Sequence, residues 1–144
     1  MTPKIKKIQD AALQLGACNK IDKVSGIPSL CRLLFSPQGT EFCEKHNFPD
    51  LATFQEIKVE VKAQGVFVDC GNISLRSRQN ICLVGSTHAS IKMSGVKYTH
   101  TVILMHGASA VIEASNYAVV NVVNISGGEV EIKKDNTVIV LWQQ

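Results

Sequence analysis

An internal repeat in the second half restricts this chain's fold more than any other feature of its sequence. Ala89-Ser-Ile91-Lys-Met-Ser94-Gly95 aligns with Ala110-Val-Ile112-Glu-Ala-Ser115-Asn116 at a shift of 21 residues, and a further shift of 20 reaches Val130-Glu-Ile132-Lys-Lys-Asp135-Asn136. The same shifts superpose Cys82, Ile103 and Val123, then Val84, Met105 and Ile125, and then Gly85, His106 and Ser126. Apolar columns interleaved with turn formers are what a coiled parallel sheet requires. Each coil stacks on the one before at about 4.8 Å and brings like residues into register, and tight corners select Gly or Asn for left-handed backbone. An antiparallel sandwich is the competing arrangement, but hairpins do not demand matched columns 20 residues apart. A less regular coil precedes these, through Gly65, Val66, Phe67, Val68, Ile73 and Leu75. The expected fold is mainly β: a short parallel β-solenoid of about four coils of roughly 20 residues, its apolar columns filling the coils.

The first third reads differently. Thr2 followed by Pro3 forms an N-cap with proline in the first turn, and Ile5, Ile8, Ala12 and Leu15 fall on one face before Gly16. Pro28 opens a second helix bearing Leu30, Leu33 and Leu34, and Ser36-Pro37 interrupts it to start a third with Phe42, Cys43 and His46. Asn47 closes that helix, and Pro49 opens a fourth with Leu51, Phe54 and Ile57 at helical spacing. None is long enough to be stable alone, so the helices must pack on each other or on the β half of the chain. Residues 1–58 are expected to form a helical capping and docking region, and residues 59–144 the solenoid.

Bulk properties narrow the function classes. Apolar residues make up 45% of the chain and no run reaches the roughly 18 residues of a spanning helix, so the expectation is a soluble protein with no membrane segment. A net charge of +3, with its basic cluster Lys4, Lys6 and Lys7 on an amphipathic helix, gives little reason to expect nucleic-acid binding. The first residues lack the apolar run of a secretory signal, which points to a cytoplasmic site of synthesis. Five cysteines, Cys18, Cys31, Cys43, Cys70 and Cys82, are an odd number without close pairing and read as reduced thiols.

Signatures of catalysis are missing: no G-x-S-x-G, P-loop, G-x-G-x-x-G or H-E-x-x-H occurs. Cys43-x-x-His46 could place two ligands on one helical turn, with Cys18 and Cys31 completing a zinc set, but no C-x-x-C knuckle supports it. His88, His100 and His106 lie in the repeats, and His88 with His106 is the weak alternative for a zinc or acyl-transfer centre at a coil corner. Acyltransferases of the left-handed β-helix type repeat an apolar residue every six positions, which this spacing does not. Cys70 as nucleophile with His88 as base is a further candidate, read instead as a structural thiol. Glu113, Glu129, Glu131 and Asp135 do not form the pair that glycan hydrolysis needs, and Glu113 is expected to pair with Lys133 across coils. No cofactor is expected.

Ser36-Pro-Gln-Gly-Thr-Glu-Phe42-Cys43-Glu-Lys-His46-Asn-Phe48-Pro49, followed by Gly65-Val-Phe-Val-Asp69 and Val102-Ile-Leu-Met-His106-Gly-Ala-Ser-Ala-Val-Ile-Glu-Ala114, resembles small uncharacterised β-solenoid proteins of gut Bacteroidetes and their phages or mobile elements. The resemblance implies a context rather than a chemistry: a prophage or mobile-element accessory of tail, fibre or baseplate type that can enter a phage particle. Independently of it, a solenoid exposes strand edges at its ends. The helices stand where the first coil needs cover, whereas the apolar run Val138-Ile139-Val-Leu141-Trp142 has no cap. Ile139, Leu141 and Trp142 are therefore the expected interaction residues of a homo-oligomer, with a trimer as the first expectation and a protein partner possible at the N-terminal helices.

Overall fold

The structure, a computed structural model, describes residues 2–143. Five helices come first: α1 (Pro3–Gln14), α2 (Ile27–Phe35), α3 (Pro37–His46), α4 (Leu51–Glu56) and α5 (Lys58–Lys62), with a 3-10 turn at Asn19–Lys23. Nine strands follow: β1 (Val66–Val68), β2 (Gly71–Arg76), β3 (Asn80–Val84), β4 (Thr87–Ser94), β5 (His100–Met105), β6 (Ser109–Ser115), β7 (Val119–Asn124), β8 (Val130–Lys134) and β9 (Ile139–Gln143). Odd strands make a five-stranded sheet in the order β1-β3-β5-β7-β9, and even strands a four-stranded sheet in the order β2-β4-β6-β8. Every pairing is parallel. This is the expected solenoid, and the antiparallel sandwich is excluded. Each coil runs out along one sheet and back along the other.

The repeat register holds at the level of paired residues. Ile91 pairs with Ile112 and Ile112 with Ile132; Cys82 pairs with Ile103 and Ile103 with Val123. The first coil is shorter, with Val66 paired to Cys82 and Leu75 to Ile91, a step of 16 residues.

Not all apolar columns fill the coils, however. Ile81, Leu83, Val102, Leu104, Val120 and Val122 of the five-stranded sheet face Ala89, Ile91, Ala110 and Ile112 of the other and form the inner core. The Cys82, Ile103 and Val123 column, with Val66, Val68, Val84 and Met105, points the opposite way and is buried by Ile8, Cys31, Cys43, Phe54, Ile57 and Val61 of the helices. The molecule thus has three layers: helices, five-stranded sheet, four-stranded sheet. The helical cap is a lateral one, laid along the outer face of the sheet. Strands buried on both faces read as continuous apolar runs, and Ile81-Cys-Leu-Val84 and Val102-Ile-Leu-Met105 are such runs. On β4, by contrast, burial alternates strictly, because its other face meets solvent.

Local signals set the helix ends. Thr2 accepts from the Ile5 amide at 3.4 Å, Ser36 from Gly39 at 3.0 Å, and Asp50 from Thr53 at 2.8 Å, while Asn47 ends α3 at φ +48°. Two details differ from expectation. Leu15 is 42% exposed, and Gln9 is buried instead, its amide donating to the carbonyls of Ile21 and Val24. Helix also extends past residue 58, through α5, because Phe54, Ile57 and Val61 continue one helical stripe that outweighs the local Val59, Val61 alternation. Lys4 and Lys7 lie beside Glu60 and Glu56 on this segment, and Lys6 beside Asp10, so each member of the basic cluster has an acidic neighbour.

Candidate functional site

The corner following β1, β3 and β5 holds most of the polar chemistry. Its left-handed position is occupied in successive coils by Asp69 (φ +50°), Gly85 (φ +67°) and His106 (φ +56°). Asp69 accepts from the Ser86 amide and from the Gln55 side chain, both at 2.8 Å, and these bonds hold its carboxyl below the usual range. Lys58 donates to the Asp69 carbonyl at 3.0 Å. Thr87 is wholly buried one step further on. Its oxygen accepts from the Cys70 amide at 3.0 Å, and its hydroxyl faces the carbonyls of Val84 and Phe67. These contacts fasten the first two coils to each other and to α4.

His106 makes the equivalent link in the following coil. Its Nε2–H donates to the Pro49 carbonyl at 2.8 Å, and its ring meets Phe54 edge-on at 6.0 Å. His88 lies on the solvent face of the four-stranded sheet, bonded through Nδ1 to Ser109 Oγ at 2.6 Å. The two histidines have separate partners on different layers. Among the described residues no group of three or more His, Cys, Asp or Glu is arranged to hold a metal ion. Cys70 lies against the inner core with its thiol toward the Val68 carbonyl, not toward His88. His46 packs at a tilt against Phe42, ring centroids 4.6 Å apart, rather than joining Cys43. Glu113 and Lys133 are register neighbours, yet the ion pairs that form are others.

Sequence reasoning named Cys31, Cys43, Cys82 and His100 but missed the two environments they occupy. Cys31, Cys43 and Cys82 come together where helices meet sheet, and burial pushes their thiols up, to about 11 for Cys31, about 12 for Cys43 and well above the normal value for Cys82. Such thiols stay protonated and are poor nucleophiles. Only the three-layer packing brings them together, so no spacing in the chain announces them. His100 is the second case: 1% exposed, it donates from Nδ1 to the Arg78 carbonyl at 3.1 Å, and Nε2 has no partner among the described residues.

Two concavities border the helical layer. An apolar cavity of about 90 Å³ lies among Cys31, Leu34, Phe42, Cys43, Phe54 and Ile57. It opens to the surface on one side, and its volume is below the roughly 150 Å³ of an apolar cavity that accepts benzene. A more open groove of about 510 Å³ runs between α3 and the outer face of β5, β7 and β9, past Glu41, Glu44, Thr101, Asn121 and Gln143.

At the far end of the stack, Ile139, Leu141 and Trp142 are 57%, 48% and 58% exposed on β9, and Val130, Ile132 and Val140 are half-buried. Neither β8 nor β9 has a neighbour on its outer edge among the described residues. All three expected interaction residues therefore lie on one open strand. Fold and surface define the class: a two-sheet parallel β-solenoid with a lateral helical layer, its last strand apolar and unpaired on one edge among the described residues. Comparison with protein-family profiles, curated proteins and solved structures finds no match. No helix among the described residues is long and apolar enough to cross a membrane.

Proposed function

We propose that this chain is a non-enzymatic structural or interaction protein that self-associates through its solenoid. One observation carries the reading: the last strand presents Ile139, Leu141 and Trp142 to solvent on an edge whose amides and carbonyls lack protein partners among the described residues. Edges of this kind are normally shortened, charged or covered, because they template pairing with another chain. The polar corners support the same reading. Asp69, Thr87 and His106, which carry the hydrogen-bonding groups that chemistry would use, are spent on holding coils and helices together.

The resemblance at residues 36–49, 65–69 and 102–114 supports a more specific role, an accessory of a phage or mobile element of tail, fibre or baseplate type. Such a protein is made in the cytoplasm and taken into a particle. Leu13 and Leu15, exposed at the end of α1, suit contact with a protein partner on the helical side. Light scattering coupled to size exclusion, run from about 1 to 200 μM, tests self-association. Under the reading, mass rises above the 15.7 kDa of one chain within that range. A constant monomer overturns it.

A further inference from the structure

The five-stranded sheet extends one strand beyond the four-stranded sheet, so the C-terminal end of the stack is a step, with β9 one rung above β8. Val140 and Trp142 pair with Val120 and Val122 and so prolong the inward columns of the core. At that rung no strand of the opposite sheet faces them among the described residues, which is why an inward-column tryptophan is 58% exposed. Below the gap, Val130 and Ile132 of β8 are half-buried for the same reason.

A step of this kind complements itself. A two-fold axis running parallel to the strands through the end of the stack carries one copy's β9 into the gap beside the other copy's β8, and does so on both sides at once. Strands of the two sheets run in opposite directions, so this rotation sets β9 antiparallel to the partner's β8, a pairing with well-directed hydrogen bonds. We propose that two copies of this chain join tail to tail in this way, each β9 completing the other copy's four-stranded sheet. The proposal rests on the self-association proposed above and names its surface and symmetry.

The side chains fit that placement. Val140 and Trp142 of one copy close the inner core over Val130 and Ile132 of the other, so apolar side chains meet only apolar side chains inward. Outward, Leu141 and Gln143 adjoin the stems of Lys133 and Glu131. From Ile139 to Trp142, β9 has no charge and no proline to discourage pairing. The face is small: five-residue strands are about 17 Å long and packed sheets about 10 Å apart. The buried area therefore falls below the roughly 1,200 Å² of standard specific interfaces, the range of weak and transient association.

Cross-linking tests the arrangement. In a Cys18→Ser background, which removes the exposed native thiol, Lys133→Cys and Leu141→Cys are made as separate proteins, both at exposed outward positions. The two are treated with a short bismaleimide, mixed and alone, at concentrations where light scattering finds oligomer. The expected result is a cross-linked dimer several-fold more abundant in the mixture than in either protein alone. A trimeric mass, or cross-linking no greater in the mixture, overturns the tail-to-tail pairing and leaves self-association standing. A monomer at every concentration overturns both.

Discussion

At the corner after β1, β3 and β5, the chain meets one steric demand three times and satisfies it with Asp69, Gly85 and His106. Asp69 and His106 use their side chains to reach α4 and the Pro49 carbonyl, whereas Gly85 leaves room for the Asp69 carboxylate and Leu51. A Cβ on Gly85 would lie 2.2 Å from Asp69 Oδ1 and 2.9 Å from Leu51 Cδ1. At Gly71, with nearly the same backbone angle (φ +68°), nothing lies within 4 Å of that position. The pair separates backbone strain from lost contacts. Gly71→Ala is expected to cost about 1 to 2 kcal/mol, the strain of a left-handed alanine. Gly85→Ala adds displacement of the Asp69 carboxylate from Ser86 and Gln55, at roughly 1 kcal/mol for each bond, and is expected to cost about 3 to 4 kcal/mol. Urea unfolding of both variants measures the difference. Equal losses would mean that the Asp69 link adds nothing to stability.

Among the elements, the repeat was legible because stacking requires like residues at equal steps: the Ile91, Ile112 and Ile132 column predicted from spacing is the observed register. Which face a column occupies was not legible. Alternation separates two faces, but when both are apolar, as along Cys82, Leu83 and Val84, it does not say which one lies inside. The helical layer decides, and with it the meeting of Cys31, Cys43 and Cys82. Of the candidate site, Ile139, Leu141 and Trp142 were read from composition at an uncapped end, but the step between β9 and β8 depends on strand counts that no motif encodes. Because sheet and helices share one core, removing residues 1–63 is expected to expose Val66, Cys82, Ile103, Met105 and Val123 as one apolar face. The shortened chain should bind a hydrophobic dye strongly and precipitate where the full chain stays in solution. A soluble, weakly dye-binding product with a β-type circular dichroism spectrum would instead make the helices a separate domain.

For the whole molecule, a short solenoid is close to a one-dimensional array in which each coil is stabilised by its neighbours, so protection against local opening should fall toward an uncovered end. The two ends are not equivalent here. β1 is an edge strand, but Val66 and Val68 lie under the helical layer and all three of its residues are buried. Among the described residues, β8 and β9 have neighbours on one side only and keep most of their side chains exposed. In dilute protein, amide exchange should therefore be slowest through β3 to β6, slow in β1 and fastest among the strands in β8 and β9. Association stabilises only the elements it covers, by mass action. Raising the concentration through the range where oligomer forms should slow exchange in β8 and β9 and leave β1 unchanged, a pattern that hydrogen–deuterium exchange resolves strand by strand. Slowing confined to β1, or to the polar outer face of β2 and β4, would place the contact on another surface. Strong protection of β9 in dilute monomer would mean that the step is already closed within a single chain.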